Sequence, residues 1–175
     1  LWRQRLKASQ SKEGKLASNR WIQLANVSKD NQPRLRTVVF RGWLDKSTML
    51  IYTDKRSEKY LDLESNNNVE VLWLFFKTKS QYRFKGKVYE LIDDDKYWDN
   101  LVDRSKEQWF WPSPKAKIDQ KNKISSKDNI LSKPNNFSVL QIKINEVDLL
   151  KLEKPVHKRY LWKKIDQWEC IEVNP

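Results

Sequence analysis

The sequence predicts a mainly β chain with short helices, folded as an antiparallel β-barrel. Three observations lead to the antiparallel barrel. About seven short runs have strand composition or period-two alternation. Short turns join most of them. No long stretch keeps the 3.6-residue period of a long helix. The chain has 175 residues, of which 12% are aromatic, with nine Trp. That fits a single folded domain over residues 1–175, since disordered chains are poor in aromatics.

The elements follow in order. Residues from Leu1 to Ser11 carry Trp2 and Leu6 among cations and suit a short helix. Trp21 to Ala25 reads as a strand, Lys29 to Pro33 as a turn, and Leu35 to Arg41 as the returning strand of a hairpin. Thr48 to Thr53 is a third strand. At Ser57 to Glu64 the period lengthens, with Tyr60 and Leu63 three residues apart and Ser57 placed to cap a short helix. Val69 to Phe76 reads as a buried strand. Gln81 to Leu91 starts with alternation, with Tyr82, Phe84, Gly86 and Val88 on one face and Gln81, Arg83, Lys85 and Lys87 on the other. Asp93 to Arg104 suits a helix with three acids at its positive end. Trp109 to Asn136 becomes polar and aperiodic, giving a flexible loop at about 113–136. Phe137 to Ile144 is a strand, and Arg159 to Lys163 with Trp168 to Val173 forms a last hairpin.

Scarce residues exclude several chemistries. One cysteine, Cys170, rules out a disulfide framework within the chain. One histidine, His157, rules out the usual His-rich metal cluster, so no metal site is expected. The three glycines stand too far apart for a P-loop or dinucleotide fingerprint. Any bound phosphate must therefore be held by Arg and Lys. No apolar run approaches the length of a membrane span, no signal peptide is visible, and one Cys fits a reducing compartment. The expectation is a cytoplasmic protein with no membrane association. The chain begins at Leu1 rather than Met, which leaves room for a preceding segment.

The formal net charge is +12. Arg34, Arg36 and Arg41 flank or occupy one strand, and Arg56 and Lys59 flank a helix start. A helix N-terminus beside cations suits a phosphate, whereas in so basic a chain the same residues also suit a solvated strand edge. Gln81 could address the edge of a heteroaromatic ring or simply face water. His157 alone gives no case for a catalytic role. Trp73, Trp98, Trp109 and Trp111 stand among apolar neighbours, which favours packing over nucleic-acid stacking.

Taken in order, three runs resemble the pyridoxamine-phosphate oxidase family, flavoproteins with the FMN-binding split-barrel fold. They are Trp21-Ile22-Gln23-Leu24-Ala25, Gln32 to Gly42 with its Arg36-Thr37-Val38-Val39 block, and Tyr52-Thr53-Asp54-Lys55-Arg56-Ser57-Glu58-Lys59. The resemblance continues through Gln81 to Gly86, Tyr97-Trp98 and His157 to Pro175, and leaves out 116–136. Trp109-Phe110-Trp111-Pro112 and the Arg41-Gly42 pair resemble an oxidase-related subgroup more than the biosynthetic enzyme.

The resemblance implies FMN as cofactor. Arg36, Thr37, Val38, Val39 and Arg41 would line it, the last where the family has Lys. Tyr52 and Thr53 would touch the flavin and its ribityl chain, and Lys59 would hold the phosphate with Arg56 and Ser57 beside it. Gln81 would address the ring, and Arg159 would complete the pocket. Glu58 stands where the family has Arg, so Arg56 is expected to supply that charge. The family's Trp before Arg159 has no counterpart at Leu149 and Leu150. On the substrate side Tyr97, Ser105 and His157 match. Leu101 and Pro155 replace two arginines, and Arg104 is near but out of register. The implied protein is an FMN-dependent oxidoreductase of unknown small-molecule substrate, a homodimer with FMN at its interface, with no obligatory catalytic side chain. The alternative is a non-catalytic flavin binder or, less favoured, a basic nucleic-acid-binding protein.

Overall fold

The computed structural model describes residues 1–117 and 132–175. The middle of the loop expected at 113–136 thus lies outside the described residues. The elements run α1 (Trp2–Glu13), β1 (Trp21–Val27), β2 (Pro33–Trp43), β3 (Thr48–Asp54), α2 (Glu58–Ser65), β4 (Asn68–Phe75), β5 (Ser80–Glu90), α3 (Asp95–Asp99), α4 (Asp103–Lys106), β6 (Phe137–Lys151), β7 (Lys158–Lys163) and β8 (Cys170–Val173).

All strand pairings are antiparallel, in the order β3-β2-β1-β4-β5-β6-β7-β8, and β3 also pairs with β6. Strands β1 to β6 therefore close a six-stranded barrel, and β7 and β8 extend from it. The split follows from the length of β6. One edge of β6 pairs with β5 from Leu140 to Lys151. The other edge pairs with β3 over Phe137 to Lys143 and with β7 over Glu146 to Lys151.

The sequence pattern ends this strand at Ile144, whereas the structure carries it to Lys151. The reason is a β-bulge. Gly86 faces Ile144 and Lys85 faces Glu146, so Asn145 is the extra residue and the inward face shifts from Ile142 and Ile144 to Val147 and Leu149. That phase jump hides the strand from a period-two reading. Gly86 is required at the bulge, because a Cβ there would stand 2.4 Å from the Lys143 carbonyl oxygen.

The barrel core holds Ile22, Leu24, Met49, Ile51, Val71, Trp73, Phe75, Phe84 and Ile142. Helix α1 adds Trp2 and Leu6, four residues apart on its buried face. Trp2 packs at 5.8 Å between centroids against each of Trp43, Phe84 and Trp168. A second cluster forms on the outer face of β3 and β6, from Leu50, Trp98, Trp109, Phe137 and Val139. The single helix expected over 93–104 is broken into α3 and α4. Val102 takes an extended conformation between them, while Trp98 packs on Phe137. Trp111, expected to pack, is 46% exposed.

Candidate functional site

The expected cofactor residues fall into two groups. The first surrounds the N-terminus of α2, where a cleft of about 350 Å³ opens between β2, α2 and the chain at Pro114 and Lys115. Arg36 shares the inward face of β2 with Val38 and Phe40, but lies at the barrel rim. Its guanidinium donates to the Leu24 carbonyl at 3.3 Å and to the Asn26 side-chain oxygen. Asn26 is buried and also reaches Asp62 of α2, so it ties strand, helix and arginine together.

Lys59 is half-buried in the first turn of α2, and its Nζ donates to the Ser57 Oγ at 3.1 Å. Burial lowers the Lys59 pKa, the nearby Arg36 charge lowers it further, and Asp54 partly opposes both. Ser57 in turn donates to the Asp54 carbonyl at 2.6 Å and lies 3.3 Å from the Thr53 hydroxyl. The first N–H groups of a helix have no intrahelical acceptor, so this corner gathers two cations and free amides, with the Ser57 oxygen holding the Lys59 ammonium. That donor set fits a phosphate.

Arg56 lines the same cleft, but its guanidinium is forked onto Asp54 at 2.6 to 3.1 Å and also donates to the Trp111 carbonyl. Glu58, at the same helix start, has a cation of its own. Lys115 reaches across 57 residues of sequence to pair with it at the cleft mouth.

Arg41 is the unpaired residue of a bulge in β2, between the pairs Phe40–Ile51 and Gly42–Leu50. The bulge turns its guanidinium over the Tyr52 ring, 5.0 Å from the centroid. Tyr52 lies 6.1 Å from the Tyr97 ring, so Arg41, Tyr52 and Tyr97 form one aromatic-cationic wall. Burial lowers the Arg41 pKa and raises that of Tyr52. Thr37 is exposed and Val39 half-buried on the same outer face of β2, whereas Val38 and Thr53 are buried.

The second group lies around β5 and β7. Gln81 faces Leu150 and Leu150 faces Arg159, so both polar residues share one outer face with a strand between them. Arg159 donates to the buried Asp148 at 3.0 and 2.7 Å, and Arg83 donates to the same carboxylate. Burial pushes the Asp148 pKa up, but the bonds from Arg159 and Arg83 outweigh it and hold it below the ordinary carboxylate value. His157 belongs to this side. It is exposed on the β6–β7 connection, and its Nδ1 lies 3.0 Å from the Glu153 carbonyl.

One chain does not bring the two groups together. Strands β2 and β5 are three strands apart in either direction round the six-stranded ring. At ~4.8 Å per strand that is roughly 14 Å across the sheet, with outer faces pointing away from each other. Tyr97 belongs to the first group through Tyr52. Ser105 is half-buried and Arg104 exposed on α4. Sequence reasoning missed Asn26, Lys115 and Asp148. The first and last read as ordinary strand polar residues, and Lys115 lies in an aperiodic segment.

Residues 1–92 match the family described as pyridoxamine 5'-phosphate oxidase, FMN-binding domain. The chain belongs to this family. Among curated relatives, it is 30% identical over 118 residues to pyridoxine/pyridoxamine 5'-phosphate oxidase 2 of Arabidopsis thaliana, covering 67% of this chain and 59% of that protein. It is 37% identical over 75 residues to the pyridoxine/pyridoxamine 5'-phosphate oxidase of Psychrobacter cryohalolentis, covering 43% of this chain and 34% of the relative. The aligned region thus spans less than two thirds of either relative. Among solved structures, a pyridoxamine 5'-phosphate oxidase-related, FMN-binding protein of Nostoc punctiforme superposes with TM-score 0.89 at 26% identity, over 99% of this chain and 97% of that one. PhzG of Burkholderia lata, solved with tetrahydrophenazine-1-carboxylic acid, shares the fold at TM-score 0.83 and 15% identity, over 99% and 91% of the chains. As a pyridoxamine 5'-phosphate oxidase-family domain, the chain keeps the cationic α2 corner inside the matched region. Tyr97, Arg104, Ser105, His157 and Arg159 lie beyond it. No helix of the described residues is long and apolar enough to cross a membrane.

Proposed function

We propose that residues 1–175 form one FMN-binding split-barrel domain that acts as an FMN-dependent oxidoreductase. The observation that carries this reading is the cleft at α2, where half-buried Arg36 and Lys59 converge with Ser57 on a helix N-terminus in a member of an FMN-binding family. Arg36, Ser57 and Lys59 would bind the FMN phosphate. Tyr52 and the outer face of β2, with Thr37, Val39 and Arg41, would flank the remainder. FMN supplies the hydride-accepting chemistry when bound. The chain's own residues bind it, orient it and exclude water from it.

Gln81 and Arg159 would serve the flavin of a second copy. The outer sheet face supports a two-fold homodimer. Leu35 is 71% and Trp21 54% exposed, and half-buried Leu72, Leu74, Leu150 and Leu161 continue the apolar surface around Gln81 and Arg159. In such a dimer the β5–β7 group of one protomer would meet the β2–β3 group of its partner.

The substrate side favours an oxidase-related role over pyridoxamine-phosphate oxidation, because Leu101 and Pro155 stand where the resemblance implies two arginines. Purified protein should be yellow, and anaerobic addition of candidate amines or alcohols should bleach the flavin band. A coloured protein that no donor reduces would support the non-catalytic flavin binder instead. A colourless protein with excess ultraviolet absorbance would support nucleic-acid binding. Size measurement by light scattering should give twice the chain mass, and a monomer that retains FMN would defeat the shared-site arrangement.

A further inference from the structure

We propose a second anion site, distinct from the α2 cleft, that takes a small phosphate-bearing molecule. It is a pocket of about 360 Å³ between α1, the β4–β5 turn and the end of β6. Its cations come from three separate elements: Arg5 and Lys12 from α1, Lys77 from the turn, and Lys151 from β6. None of these residues lines the α2 cleft.

Arg5 is positioned at the rim by an aromatic ring. The Arg5 guanidinium sits 4.1 Å over the Tyr160 ring, and among the described residues it has no hydrogen-bond acceptor or ion-pair partner. Lys12 and Lys77 also lack ion pairs among the described residues. Two acids are at hand, Glu153 in the pocket lining and Glu13 behind it, and both are engaged. Glu153 is paired with Lys151 and, at 3.7 Å, with Lys158. Glu13 is buried and accepts from the Ser18 hydroxyl at 2.8 Å and from the amides of Phe76 and Lys77 at 3.3 and 3.1 Å. With Lys151 set against Glu153, Arg5, Lys12 and Lys77 remain as lining cations without an ion pair among the described residues.

The floor consists of hydroxyls. Ser9, Ser80 and Tyr82 are buried, and the Ser9 and Tyr82 oxygens lie 3.3 Å apart, so one of them keeps a proton to offer. Ser80 donates to the Thr78 carbonyl at 3.1 Å. The Thr78 Oγ1 is buried with no hydrogen-bond partner among the described residues. A buried hydroxyl left without a partner is costly, and an acceptor in the pocket would relieve it. Cations around a hydroxyl-lined floor of this size suit a phosphate monoester, which brings charge and several acceptor oxygens together.

The probe is inorganic pyrophosphate, titrated calorimetrically into the protein as purified at constant ionic strength. Lys59→Ala is run in parallel so that binding in the α2 cleft is told apart. The expected result is saturable binding of one pyrophosphate per chain that survives Lys59→Ala. It should weaken about tenfold or more in Arg5→Gln/Lys12→Gln. Thr78→Val, which keeps shape and removes only the hydroxyl, should weaken it as well. The proposal is overturned if no saturable binding occurs, if binding disappears with Lys59→Ala, or if it is unchanged in the folded Arg5→Gln/Lys12→Gln and Thr78→Val variants.

Discussion

Lys115 and Glu58 form an ion pair across the mouth of the cleft that contains Arg36 and Lys59. The pair places a cation against the one acid in the cleft lining. Its hydrogen bond to Lys115 lowers the Glu58 pKa, and the charges of Lys115, Arg34 and Arg36 add to that. Both side chains are more than half exposed, so salt screens the interaction. Lys115→Ala should weaken FMN binding by roughly two- to fivefold at low salt, and Glu58→Gln should strengthen it by a similar factor. The double variant should return close to the original affinity. Equal losses for FMN and riboflavin in Lys115→Ala would show that the lysine acts on something other than the phosphate.

Lys59 should carry more of the phosphate affinity than Lys115, because its burial limits screening. Lys59→Ala should cost about 1.5–3 kcal/mol of FMN affinity, roughly ten- to a hundredfold, and Arg36→Ala a similar amount. The pH dependence follows from the direction of the Lys59 shift. Its pKa is lowered by burial and by Arg36, so its proton leaves at lower pH than from an ordinary lysine. FMN affinity should therefore fall on the alkaline side earlier than a solvated lysine would dictate. In Lys59→Arg the fall should move to higher pH. Fluorescence titration of FMN across the alkaline range measures both curves, and coincident curves would remove Lys59 from the phosphate site.

Asp148 fixes two guanidinium groups at once. Asp148→Asn should leave Arg83 and Arg159 less firmly held, lowering thermal stability at neutral pH and weakening FMN binding if Arg159 serves the flavin. The sign of the pH effect follows from the depressed folded-state pKa. The stabilisation is present above the unfolded carboxylate value, about 3.9, and is lost as pH falls through the lower folded value. The stability gap between the two proteins should be widest near neutrality and close in acid. A gap that persists below the folded pKa would assign the loss to packing instead of charge.

The sequence pattern reveals the barrel because its strands are half-buried and alternate, as Tyr82, Phe84 and Val88 show against Arg83, Lys85 and Lys87. It loses β6 after Ile144, where Asn145 breaks the alternation. The start of α2 was legible locally, with Ser57, Lys59 and Arg56 at one helix N-terminus, whereas Arg36 stands on a separate strand and was expected beside them only through the resemblance. Asn26, Asp148 and Lys115 act through long-range partners 10, 11 and 57 residues away, and no local pattern announces such pairs. The separation of Gln81 from Arg36 across the ring is likewise a property of strand order, invisible in any single segment.

Tyr97 stands against Tyr52, and Ser105 lies half-buried on α4; the resemblance implies both for the substrate phosphate. The residue between them is Leu101, which packs with the Trp98 and Phe137 cluster, and Pro155 stands at the other expected arginine. A dianionic phosphate entering there would be desolvated with too few partners. Arg41 cannot make up for two missing forks. Its guanidinium is committed to the Tyr52 ring, and bidentate geometry supplies orientation as well as energy. Turnover of pyridoxamine phosphate by the FMN-loaded protein should therefore be poor. Leu101→Arg should improve it if the missing charge is the cause. Arg104 offers the alternative supply, since it is exposed on a four-residue helix and has no ion-pair partner among the described residues. Efficient turnover that Arg104→Ala abolishes would show that this helix shifts to deliver the charge, and that Leu101 does not define the substrate.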